Sequence, residues 1–213
     1  MIPSLEKLRT SAWRTASARY NAARRLRRRE NFATVSVSFM SALTVVMAFL
    51  QRLYAVGTPA DNYLTAVCGA LGIFLLTLSL VEWGARTGAI AEALHKNAEK
   101  LNGFSRKVDI EIAAHAHAPI IFDVVRDLNS EYKAIKDDCH HNHLPIVDLY
   151  FRIHHLNAQE FLNGRPGPAM DKFEVMWVWC RWQTASTWYI AVIWTGLLLV
   201  LLPLLMPAMW YPV

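Results

Sequence analysis

The chain has 213 residues, 54% hydrophobic and 18% charged, with a formal net charge of +5 at pH 7. Its apolar residues stand in a few long blocks rather than at the spacing of a water-soluble core, which places it among membrane proteins. Three cysteines, Cys68, Cys139 and Cys180, are too scattered for a disulfide framework or a paired zinc knuckle.

In residues 1–31, Leu5, Leu8, Ala12, Trp13, Ala16, Tyr20, Ala23 and Leu26 recur at steps of three and four. This predicts an amphipathic helix that runs without a breaker into the next segment, one helix of roughly fifty residues. Arg24, Arg25, Arg27, Arg28 and Arg29 abut the first apolar run, so anionic lipid headgroups are their expected partners, in preference to nucleic acid.

Phe32 to Leu50 is nineteen residues without a charge. At the helical rise this covers roughly 28 Å, enough to cross a bilayer. The run is longer than the hydrophobic stretch of a secretory leader and reads as a signal anchor. Residues 51–63, with Gly57, Pro59 and Asp61-Asn62, form a short loop, and Leu64 to Val81 is a second uncharged run of eighteen residues. Residues 32–81 are therefore a transmembrane hairpin. Thr34, Ser38, Ser41 and Thr44 lie along one side of its first helix, and Thr65, Gly69 and Gly72 along one side of its second. Two readings stand: close helix packing with hydroxyls bonded to their own backbone, or a weakly polar pore lining that forms when several hairpins associate.

Nine Lys and Arg precede the first span whereas Arg52 alone follows it, which predicts a cytoplasmic N-terminus. Residues 82–186 are then a cytoplasmic helical domain. Ile90, Ala91, Leu94, Ala98 and Leu101 have helical spacing, with Asn102-Gly103 as a stop. Pro119 opens another helix carrying a stripe from Ile120 to Ile135. A break at Cys139 to Pro145, a short helix near Val147 to Leu156, a loop from Asn163 to Pro168 and a helix from Asp171 to Gln183 complete the domain. Residues 187–213 hold the apolar run Trp188 to Met206, whose simplest reading is a third span, with a helix in the interface as the alternative. Trp177, Trp179, Trp182 and Trp188 before it, and Trp210 and Tyr211 after it, favour crossing.

Cys139, His140, His141 and His143 are weak candidates for a metal site, because their spacing is not that of a finger; a helix-breaking surface and packing role is the preferred reading, with proton sensing or partner binding as the other alternative. His115 and His117 are less specific still. The sequence holds no phosphate-cradling glycine loop, His-Glu-x-x-His or Gly-x-Ser-x-Gly elbow, so neither an enzyme nor a cofactor is expected. The fold class is an all-α integral membrane protein: a two-span hairpin with long cytoplasmic helix extensions, a cytoplasmic bundle and a third C-terminal span.

Residues 8 to 155 resemble the SLATT domains, SMODS and SLOG-associating two-transmembrane effector modules of prokaryotic conflict systems. The likeness rests on Trp13, Arg19, Tyr20 and Ala22-Ala23-Arg24-Arg25-Leu26, on the tight hairpin to Val81, and on the extended helix through Ala91, Leu94, Ala98 and Leu101. Asn142-His143 followed by Pro145, Ile146, Asp148 and Phe151 is most similar to the reverse-transcriptase-associated subgroup. The resemblance implies a multi-pass inner-membrane effector that homo-oligomerises on a trigger and permeabilises the bilayer, arresting an infected cell. A reverse transcriptase or a nucleotide-signal enzyme is the implied protein partner. The alternative is a non-permeating anchor that recruits such a defence enzyme.

Overall fold

The computed structural model describes residues 2–115, 122–141, 144–156, 170–185, 187–206 and 210. Among them the regular structure is entirely helical: α1 Ile2–Leu50, α2 Pro59–Ala85, α3 Thr87–Ala114, α4 Phe122–Asp137, α5 Pro145–Ile153, α6 Lys172–Thr184 and α7 Trp188–Leu201. A π-helical turn, Gln51–Ala55, follows α1, and a 3₁₀ turn, Leu202–Leu205, follows α7. The chain divides into two compact units, one of Met1–Arg27 with Gly88–Thr184 and one of Arg28–Thr87 with Ala185–Val213.

The first unit packs around the small side chains of α1. Ala18, Ala22 and Ala23 let Leu94 of α3, Ile146, Val147 and Ile153 of α5, and Val178 and Trp182 of α6 approach closely. Nearer the start of α1, Leu5 and Ala12 pack with Phe104 and Val108 of α3 and Leu128 of α4. Phe151 is buried with its ring edge-on to Trp13, centroids 4.9 Å apart. Arg14 makes a bidentate pair with Asp148 at 2.9 and 2.7 Å, and this carboxylate holds the guanidinium above its ordinary pKa. Surface pairs such as Arg9–Asp109 and Lys107–Glu131 are half exposed. Each contributes only about 0–1 kcal/mol, so apolar burial holds this unit together.

Two helix boundaries differ from the sequence reading. Asn102-Gly103 does not stop α3, because Phe104 and Val108 continue its stripe into the core with Leu5 and Ala12, and that burial outweighs the glycine's poor propensity. α3 runs on to Ala114, and the other boundary is at Arg86, whose left-handed backbone (φ 47°) caps α2 and lets its N–H donate to the Trp83 carbonyl at 3.3 Å. Beyond its chain neighbours and the helix's own backbone, no described atom lies within 4 Å of a Cβ placed on Gly103. Gly103→Ala is therefore expected to raise stability by about 0.5–1 kcal/mol, read as a higher melting temperature in detergent.

The start of the fourth helix, placed at Pro119 by sequence, and the loop from Asn163 to Pro168 lie outside the described residues. The short helix runs from Pro145 to Ile153, slightly earlier than the sequence suggested, since proline at its first turn presets the helical φ.

In the second unit α2 begins at Pro59, five residues before the uncharged run. Thr58 is extended, Pro59 occupies the first turn and Gly57 takes a positive φ of 78°, so the connection shrinks to residues 56–58. Gln51 closes the turn by donating to the Asp61 carboxylate at 2.7 Å and to the Thr65 hydroxyl at 2.6 Å. Beside this pair lies α7. Met40, Leu75 and Leu197 form the middle of the three-helix contact, and Met47, Ala55, Ala60, Leu64 and Val67 form its far end with Leu201 and Leu204. Tyr189 lies next to Glu82, while Val200 accepts a hydrogen bond from the Tyr63 hydroxyl at 2.5 Å. Hence α7 runs antiparallel to α2 along its length, as a third span does.

Candidate functional site: the spanning helices and their polar clasp

Three helical stretches are long and apolar enough to cross a membrane, and only 6% of the most apolar window of the third is buried within the protein. Phe32, Val35, Phe39, Val46 and Phe49 of α1, Leu76 and Leu80 of α2, and Val192, Leu198 and Leu199 of α7 all face outward. So much contiguous apolar surface is stable only against hydrocarbon, and helices satisfy their own backbone groups there.

At one end of this unit a polar clasp ties its three helices. Glu82 Oε1 accepts from Arg29 Nη2 at 3.0 Å and from the Tyr189 hydroxyl at 3.1 Å. The Arg29 guanidinium also lies 5.3 Å from the Tyr189 ring centroid. Trp83 and Trp188 are exposed next to the clasp residues in sequence, the position of an interfacial aromatic belt. Deeper in, Trp194 Nε1 donates to Ser36 Oγ at 3.2 Å. Sequence reasoning singled out none of Ser36, Glu82 or Tyr189. Glu82 is the first charge after the second uncharged run, and that was the only available signal.

The hydroxyl and glycine residues read from the sequence are placed on the outside of the unit. Thr34, Ser38, Ser41, Thr65, Gly69 and Gly72 are exposed, and Thr44 is half-buried. Thr44 donates to the Met40 carbonyl at 2.8 Å and Thr65 to the Asp61 carbonyl at 2.9 Å, so both hydroxyls are held by their own helix. A Cβ added at Gly69 or Gly72 would meet nothing within 4 Å. The contacts inside the chain thus use a different face, that of Met40, Leu75 and Leu197. Between α2 and α7 an apolar cleft of about 590 Å³ opens, lined by Met40, Tyr63, Phe74, Ile193, Gly196 and Leu197.

Among the basic residues, Arg24 and Arg27 are exposed and Arg25 half-buried in the first unit. Arg28, in the second, lies 5.8 Å from the Phe32 ring centroid, and Arg29 is held in the clasp. Cys139, His140 and His141 border a cavity of about 320 Å³ together with Lys96 and Lys100. Among the described residues no three His, Cys, Asp or Glu side chains converge as metal ligands. His143 and His117 lie outside the described residues; His115 Nδ1 lies 3.0 Å from the Glu111 carbonyl.

These features define an all-α, multi-pass integral membrane protein. The chain belongs to the SMODS and SLOG-associating 2TM effector domain family 5, whose model matches residues 2–209. The match reaches past residue 155, where the sequence resemblance ended, and so takes in α7; the family's description counts two spans where this chain has three helices able to cross. No curated protein and no solved structure matches the chain. The family is a membrane effector domain associated with conflict systems.

Proposed function

We propose that the chain is an effector that homo-oligomerises in the inner membrane and permeabilises it on a trigger. The observation carrying this reading is the outward flank of the hairpin. Thr34, Ser38 and Ser41 on α1 and Thr65, Gly69 and Gly72 on α2 are exposed although the unit already has its internal contacts elsewhere. Small residues on lipid-facing helices allow close approach of further helices, and hydroxyls supply a surface that water can wet once several copies enclose it. A signal acts by binding one arrangement of the helices better than the other, and its source in this reading is a reverse transcriptase or a nucleotide-signal enzyme.

The test is leakage of an entrapped dye from liposomes carrying the full chain, with and without the product of the neighbouring gene. Triggered leakage is the expected result. Intact liposomes under triggering, with the partner bound, would leave a non-permeating anchor. Basic residues ahead of the first span support a cytoplasmic N-terminus. A reporter fused after Leu101 should then read cytoplasmic and one inserted at Gly57 external; the reverse pattern overturns this orientation.

A further inference from the structure

In the first unit, a groove of about 530 Å³ runs between α1, α4 and the start of α5. Ser11, Arg14, Thr15, Arg19, Lys136 and Asp148 supply its polar lining, three cations against one carboxylate. That carboxylate is already engaged: Asp148 accepts from Arg14 Nε and Nη2 and lies 3.1 Å from Arg152 Nε. Arg19 is only 4% exposed, and among the described residues its hydrogen bonds go to neutral acceptors. Its Nη1 donates to Asn97 Oδ1 and its Nη2 to the Lys136 carbonyl at 3.0 Å, while its Nε has no hydrogen-bond partner among the described residues. Asn97 in turn donates to the Ile135 carbonyl at 2.6 Å.

Arg19 and Asn97 together thus satisfy carbonyls at the C-terminal end of α4. The partial charge there is about half of one elementary charge, and a guanidinium taken from water needs more than that to offset its desolvation. Lys136 adds an exposed ammonium with no ion pair among the described residues, while Thr15 Oγ1 donates to the Ser11 carbonyl at 2.8 Å and lies 3.1 Å from the Tyr132 hydroxyl, which leaves the exposed Ser11 as the hydroxyl donor of the groove. Pro145, the first residue of α5, lines the same groove, and Asp148 stands in the first turn of that helix. The groove therefore combines excess positive charge with a hydroxyl donor.

We propose that this groove binds a phosphoryl group, carried either by a small soluble phosphate compound or by a phospholipid headgroup. A doubly charged anion with several acceptor oxygens matches the surplus of charge and the spread of donors, and charge-assisted bonds to ammonium and guanidinium groups are the strong ones. Binding is independent of whether the chain permeabilises membranes, so the two readings fail separately.

The test is calorimetric titration of the detergent-solubilised full chain with inorganic pyrophosphate, and in a second arm with dihexanoyl phosphatidic acid against dihexanoyl phosphatidylcholine. Saturable binding of pyrophosphate or of the phosphatidic acid is expected, and whichever binds tighter identifies the source. Lys136→Gln alters only an exposed side chain and leaves the carbonyl that Arg19 uses. It should weaken binding roughly tenfold, the scale of one charge-assisted hydrogen bond, and Ser11→Ala should weaken it less. Arg24→Gln, an exposed arginine outside the groove, should bind as the parent does. The proposal is overturned if neither probe binds, if Lys136→Gln binds like the parent, or if Arg24→Gln weakens binding as much as Lys136→Gln.

Discussion

Replacing Ser38 and Ser41 together by Leu is expected to leave expression and insertion intact and to reduce triggered dye leakage by roughly tenfold or more, since a leucine side chain turned toward water costs about 1.5–3 kcal/mol relative to burial. Both serines are exposed on the outside of the spanning unit, and the intramolecular contacts of α1 use Met40 and Met47. Leucine at these positions therefore removes nothing from the closed unit and adds apolar surface that inserts more readily. In an open assembly the same positions would have to face water, and the penalty recurs in every copy around the opening. Val35→Leu, at another exposed position of α1, serves as the control and should leak like the parent. A double variant that inserts normally and leaks as fast as the parent removes the hydroxyl flank from the mechanism, leaving the anchor reading the stronger.

The long first helix was legible because nothing between Ile2 and Leu50 breaks it: 49 residues hold no internal proline beyond the first turn and no glycine. The hairpin was legible for a similar reason, since an uncharged run of span length has few alternatives. What sequence could not supply was the partner of each face. Gly103 looks like a stop until Leu5 and Ala12, some ninety residues earlier, are seen to bury the next turn. Arg86 is a left-handed cap without the glycine that usually announces one. On α1 the eye is drawn to the row Thr34, Ser38 and Ser41, yet the buried hydroxyl is Ser36, selected by a tryptophan 158 positions away. The crossing of α7 beside α2 likewise rests on Tyr63 meeting Val200, a pairing that no local pattern encodes.

The clasp is expected to give the largest loss of stability of any single site in the spanning unit. Glu82 is 14% and Arg29 31% exposed at the side chain, and the two meet at 3.0 Å where the helices leave their apolar stretch. Removing one member of a fully buried pair costs about 3–5 kcal/mol, because the other charge is left without compensation. Partial exposure of Arg29 reduces this to about 2–3 kcal/mol. Glu82→Ala should therefore lower the melting temperature in detergent well beyond Tyr189→Phe, which removes a single hydrogen bond worth about 1 kcal/mol. Arg29→Lys should also destabilise, since an ammonium cannot reproduce the planar contact with the Tyr189 ring while donating to Glu82. The informative comparison is the double variant. If the cost of Glu82→Ala lies in stranding the Arg29 charge, removing Arg29 as well should recover part of it, so Arg29→Ala/Glu82→Ala should be more stable than Glu82→Ala alone. Losses that simply add would mean the pair is not coupled, and the three helices would then be held by the Met40, Leu75 and Leu197 contact without help from the clasp.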